Sequence, residues 1–330
     1  MIVLFGIFLL TLIVITALAI VQTQHLFVAV ILAGIFSLLM AANFFLLDAA
    51  DVALTEAAIG AGISTVLFLA ALALTAEHER PAVSAKRLLA LGVVTVTTLI
   101  VIYATFDKPR LGDPAAPVHQ HVAPWYIEHT PETIDIPNVV TAVLASFRGY
   151  DTLGELCVIL TAGIGVLFLL GAKPHCKSAT QRIGAPQPRD GLRHYLIPRV
   201  VGQLLIPFIL LFGLYVQFHG DYGPGGGFQA GVIVAAAFIL YALLEGEARA
   251  SCVLPRRLLN GLIAGGVLLY GSVGVAGILL GGSFLDYSVL VANPVTGQHV
   301  GILLVEAGVG ITVAGVLTSV FLAFTARESA

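Results

Sequence analysis

Carboxylates interrupt otherwise apolar stretches at Asp51 and Glu56 in LLDAADVALTEAAIGAGIST, at Asp151 and Glu155 in FRGYDTLGELCVIL, and at Glu306 in GILLVEAGVGITVAGV. An ionisable group within an apolar span is costly, and where it persists it faces a bundle interior or a hydrated path. Clustered, Glu56, Glu155 and Glu306, with Asp51 and Asp151 nearby, would line a cation path, their oxygens replacing water around Na+ or relaying H+. The alternative is that each carboxyl is neutral and hydrogen-bonded within its own bundle. Arg148, Asp151 and Glu155 are spaced i, i+3, i+7, so one helix presents them on one face, with Arg148 pairing to Asp151 and Glu155 running on into the apolar segment. Asp48 and Asp51 stand where a helix begins and read as interfacial caps.

A second polar stretch, FHGDYGPGGGFQAG at 218–231, separates two apolar runs. Pro224 fixes one turn residue, and Gly225, Gly226 and Gly227 permit positive φ before a helix starts near Phe228. The turn sets two helices close together and holds His219 and Asp221 at an entrance, or else serves assembly. No phosphate-binding loop, nucleophile elbow or H-E-x-x-H motif occurs, so neither an enzyme nor a nucleic-acid binder is expected. His119, His121 and His129 share one exposed segment without a metal-ligand spacing, while His25, His219 and His299 lie at span ends. No metal and no cofactor is therefore expected. Cys157, Cys176 and Cys252 are dispersed and form no disulfide framework.

The elements that must position these groups are membrane helices. The 330 residues are 58% hydrophobic and only 11% charged, against about a quarter charged in soluble domains. Crossing the hydrocarbon core takes roughly 20 apolar residues. Runs near 2–21, 26–46, 52–76, 88–105, 153–171, 198–218, 228–245, 258–280 and 300–324 meet that length. The first has no cationic leader or cleavage site and reads as a retained span. The expected fold is an all-α polytopic membrane protein of about nine spans. Cationic connectors stay cytoplasmic, and all but three of the 16 basic residues, Lys108, Arg110 and Arg148, fall on one side if the N-terminus is outside and the C-terminus cytoplasmic. The inner connectors hold Arg80, Lys86 and Arg87, then Lys173, Lys177, Arg182, Arg189, Arg193 and Arg199, then Arg249, Arg256 and Arg257. Long polar stretches at 106–136 (outer) and 172–196 (inner) divide the chain into blocks 1–80, 81–180 and 190–330 of three, two and four spans. By its Pro and His content the outer segment reads as an ordered cap or a mobile loop.

Together these stretches resemble a known family. LYVQFHGDYGPGGGFQAGVIVAAAF followed by VEAGVGITVAGV is similar to the B-type subunit of the Mrp-type multisubunit Na+/H+ antiporters, with Gly220, Pro224, Gly225, Gly226, Gly227 and Phe228 on the family's turn motif. DAADVALTEAAIGAGISTVLFLAAL resembles the small three-span subunit fused elsewhere to the C-terminus of the A-type subunit, or free-standing in membrane-bound hydrogenases. IPNVVTAVLASFRGYDTLGE resembles the two-span subunit that follows it. The resemblance implies a fusion of three small subunits in a multi-pass protein of the bacterial cytoplasmic membrane. It implies transport of Na+ and H+ and, as partners, other complex subunits that include large proton-pumping antiporter-like ones. Asp51, Asp151, Glu155 and Glu306 fall on motif positions. Some relatives carry the acid at the position of Gly60, with an amide in place of Glu56. No Lys lies inside a span, so the usual pumping pair is absent and the chain reads as an ion-path or accessory component. A structural scaffold, a membrane-arm component of a hydrogenase-like redox pump and, against the lack of a repeat or a broken-helix Lys, a self-sufficient transporter are the other readings.

Overall fold

The computed structural model describes residues 2–75, 77–79, 84–110, 112–170, 192 and 195–328. Arg80, Lys173, Cys176, Lys177, Arg182, Arg189 and Arg193, named above, lie outside these. Nine helices among the described residues are long and apolar enough to cross a membrane. They are α1 (Ile2–Gln22), α2 (Leu26–Leu46), α3 (Ala50–Leu72), α4 (Ser84–Thr105), α6 (Gly149–Leu170), α7 (Leu196–His219), α8 (Gly227–Glu245), α9 (Arg256–Leu279) and α10 (Pro294–Glu328). A helix closes its own backbone hydrogen bonds, which is why uninterrupted apolar runs of this length take that form.

The chain folds around α10. Helices α8, α9 and α6 surround it, α7 packs along α8 and also touches α10, and α3 meets both α8 and α10. The core is built of Val232, Ile239, Tyr270, Ile302, Val305, Val309 and Val313, with Ile63 of α3 and Leu156 of α6 joining it. Small residues let the helices approach at backbone distance. α1 and α2 form a hairpin, and α3 packs on α2. No residue of the span Leu88–Thr105 in α4 is buried.

One span and the segment leading into another carry local irregularities. Ala57–Ser64 inside α3 is a π-helical segment that begins directly after Glu56. A short helix, Val139–Thr141, runs into a second one, Ala142–Phe147, just before α6. Such widened turns shift the register of side chains and recur at functional sites. Segment 106–136 is not a loop throughout, because it contains α5 (Ala123–Thr133). Trp125 and Tyr126 of α5 set their rings 5.4 and 5.3 Å from that of Phe147, and Ile134 and Ile136 behind them are buried. Apolar anchors, invisible in a tally of Pro and His, decide between cap and loop.

Candidate functional site

A cavity of about 300 Å³ opens where α3, the 139–156 region and the α8–α10 assembly meet. Asp51 and Thr55 reach it from α3, Thr141, Thr152 and Glu155 from the middle of the chain, and Gln229, Tyr270 and Glu306 from the last four spans. The backbone of Gly225, Gly226 and Gly227 forms part of its wall. Three carboxylates flagged by the sequence thus come together from parts of the chain about 100 and 150 residues apart in sequence, and the site depends on tertiary packing rather than on a local motif.

The glycine turn is what brings Glu306 here. Helix α7 ends at His219 and α8 starts at Gly227, with Gly226 at φ 115°, a conformation reserved for glycine. A side chain on Gly227 would overlap the main-chain carbonyl of Glu306, so α8 and α10 touch backbone to backbone. The Glu306 carboxylate then lies against Gly220 and Gly226, its oxygens 3.3 and 3.1 Å from where a Cβ on each would stand. Burial raises the Asp221 carboxyl above its ordinary range, and the positive field of His299 opposes that shift.

The turn is clamped by residues that sequence reading passed over. Asn138 caps its short helix through Oδ1, while its Nδ2 donates to the carbonyls of Gly220 and Gly223, 3.0 Å each. Thr141 Oγ1 donates to the Gly220 carbonyl at 2.7 Å. On the other side, Gln229 Nε2 donates to Thr55 Oγ1 at 2.9 Å and ties α8 to α3. Tyr270 and Tyr287 donate to the carbonyls of Gly149 and Ala145 at 2.6 and 2.9 Å and seat the start of α6 on α9 and the 280–293 connector. The one available sequence signal was Asn138 ahead of an apolar run, the ordinary mark of a helix start.

Other flagged residues lie elsewhere. Glu56 does not line the cavity; its Oε1 and Ser37 Oγ both crowd the space above Gly60, each 2.6 Å from a Cβ built there. Arg148 and Asp151 form an ion pair on the surface, with 61% and 48% of their side chains exposed. His219 stacks on Tyr215 with centroids 4.9 Å apart and borders a separate apolar groove. Asp48 takes a positive φ of 58° and the cap of α3 is Ala49, without a side-chain bond, so neither aspartate caps it. The cavity collects carboxylate, hydroxyl and amide oxygens, donors of the kind hard cations and protons use.

Comparison with known proteins follows the same tripartite layout. Family models match at residues 197–319 (domain related to MnhB subunit of Na+/H+ antiporter), 11–77 (MbhD of the MBH complex) and 114–189 (MbhE of the same complex). The chain is similar to a chain in the structure of the Mrp complex from Dietzia sp. DQ12-45-1b, with TM-score 0.75 and 26% identity, covering 96% of this chain and 34% of that one. It is also similar to a chain of the membrane-bound sulfane sulfur reductase, an archaeal respiratory membrane complex, with TM-score 0.54 and 28% identity over 73% of this chain and 98% of that one. One relative is much longer: the chain spans 24% of a probable K+/H+ antiporter A/B-type subunit of Rhizobium meliloti, 26% identical over 67% of this chain. A putative antiporter subunit mnhB2 of Staphylococcus haemolyticus is covered over 96% of its length, at 33% identity and over 41% of this chain. The chain therefore belongs to the MnhB family of Na+/H+ antiporter subunits and carries domains of the MbhD and MbhE types fused ahead of it.

Proposed function

We propose that the chain is a membrane subunit of an Mrp-type cation/proton antiporter complex and that its cavity forms part of the ion route. The observation that carries this reading is the convergence of Asp51, Glu155 and Glu306, one from each part of the fusion, on one space. Their carboxylates take over the hydration shell of Na+ or pass H+ between them, and Thr55, Thr141 and Gln229 supply neutral oxygens. The large antiporter-like subunits that carry the pumping pairs are its partners. Blocks 1–80, 81–180 and 190–330 correspond to three ancestral subunits. The N-terminus faces outside and the C-terminus the cytoplasm, in a cytoplasmic membrane, because the connectors richest in Lys and Arg then all lie inside. Glu56, half-buried between α2 and α3, and the surface pair Arg148–Asp151 take supporting roles outside the cavity.

The test is transport by the reconstituted complex. Glu306→Gln and Glu155→Gln each lower Na+-driven proton movement by about tenfold or more with complex yield unchanged, a rise of ~1.4 kcal/mol or more in the barrier. Near-normal transport by both variants would reduce the chain to a scaffold. The likeness to the sulfane sulfur reductase chain supports a second reading, a membrane arm of a redox-driven pump. Copurifying metalloprotein partners would select it.

A further inference from the structure

The connector between α1 and α2 meets the chain just beyond α3. The Leu26 N–H donates to the Glu77 carbonyl at 2.9 Å, and the Glu79 N–H donates to the Gln24 carbonyl at 3.0 Å. These bonds flank His25 and His78, which form an isolated antiparallel bridge. Bonds on the neighbours make this the non-hydrogen-bonded type of pair, whose side chains stand closest together. The two imidazole rings accordingly lie with centroids 4.5 Å apart and planes tilted by 54°. The Glu77 carboxylate turns to the same side, and one ligand atom from each of His25, Glu77 and His78 lies within 4.8 Å of the other two. All three residues are exposed, so no core packing accounts for their grouping. Among the described residues neither imidazole makes a hydrogen bond.

We propose that His25, Glu77 and His78 form a binding site for a divalent first-row transition cation of the zinc class. Two imidazole nitrogens and one carboxylate are the donor set of three-ligand zinc sites, with the fourth position left to water. Mg2+ and Ca2+ take oxygen ligands, so this set selects against them. The bound ion cross-links the α1–α2 connector to the chain after α3. That staple holds the three-helix unit together at the end of α3 opposite Asp51, roughly 33 Å away along the helix. It is independent of the ion route and survives if that reading fails.

The experiment uses the purified complex containing the full chain, carried on a streptavidin-binding tag rather than a histidine tag. After chelator treatment it is titrated with ZnCl2 against a chromogenic chelator, and metal content is read by mass spectrometry. The wild type is expected to hold one more zinc per chain than His25→Ala/His78→Ala, with MgCl2 in excess leaving it in place. His119→Ala/His121→Ala is expected to match wild type. His25 makes no side-chain cap to α2, so its replacement removes no helix-end bond. If the double variant does not give a monodisperse complex, Glu77→Gln takes its place and should weaken zinc binding by about tenfold or more. Equal zinc in wild type and the His25/His78 variant, or unchanged affinity in Glu77→Gln, overturns the site.

Discussion

A methyl group on Gly227 would strike the Glu306 carbonyl, and one on Gly226 would force a β-carbon into a φ of 115°, so both glycines answer to geometry rather than to flexibility. Gly227→Ala pushes α8 off α10, an overpacking cost of ~1–3 kcal/mol that should lower complex yield and melting temperature in detergent. Gly226→Val combines backbone strain with a clash near the Glu306 carboxylate and should disrupt assembly more than Asp221→Asn; a normal yield for Gly226→Val contradicts this account of the turn. Asp221 lies outside the spans, and burial raises its pKa above the ordinary carboxylate range against the field of His299. The folded chain thus holds this proton better than the unfolded chain, and stability falls as pH rises from the ordinary range through the folded value. Asp221→Asn removes that loss. Its melting temperature relative to wild type should climb from about pH 4 toward neutrality, and a flat difference would show that the raised pKa does not act. Asp51, Glu155 and Glu306 could be picked out in the sequence because acids in apolar runs stand out, and the fold brings them to one cavity. Asn138, Thr141 and Gln229 were not, since ordinary polar residues gain their meaning only from the partners they grip 79 to 174 residues away.

At the scale of elements, the end of α8 remote from the glycine turn is held by a buried carboxylate. Glu245 accepts from Arg199 Nε at 2.8 Å and Gln203 Nε2 at 2.7 Å, both on α7, and pairs with Arg249 beyond the helix end. Its side chain is 5% exposed, while the two arginines reach solvent at 33% and 45%. Glu245→Ala leaves the cations facing each other, a cost of about 1–3 kcal/mol once their exposure is allowed for. Thermal unfolding in detergent should show it, and Arg249→Ala should cost less. α7 and α8 are therefore locked at both ends, by the turn on one side and this charge knot on the other. The place of each span followed from apolar runs, but the full extent of α10 and the π-helical segments of α3 and of 142–147 did not. A run of Ala, Gly and Ile satisfies either winding, and packing against neighbours selects the wider one.

For the whole molecule, the number of spans was legible because membrane helices declare themselves by length and hydropathy, while their arrangement around α10 was not. Apolar residues facing lipid and those facing a neighbour are the same residue types, so composition does not say which helix is central. The proposed orientation is checked by labelling single cysteines with a membrane-impermeant maleimide after Cys157, Cys176 and Cys252 are replaced by serine. Glu132→Cys on α5 should react in intact cells and Arg257→Cys only after permeabilisation; the reverse pattern inverts the topology.

The span of α4 has no buried residue, yet α3 ahead of it is bound to the remainder of the fold through Ile63 in the common core and the Thr55–Gln229 hydrogen bond. Covalent continuity between α3 and α4 therefore contributes little to how the cavity is closed. The gene can be cut there. Fragments 1–83 and 84–330, expressed as two polypeptides from one operon, should find each other in the bilayer and copurify in equal amounts, since the contacts that join them are lateral and need no linker.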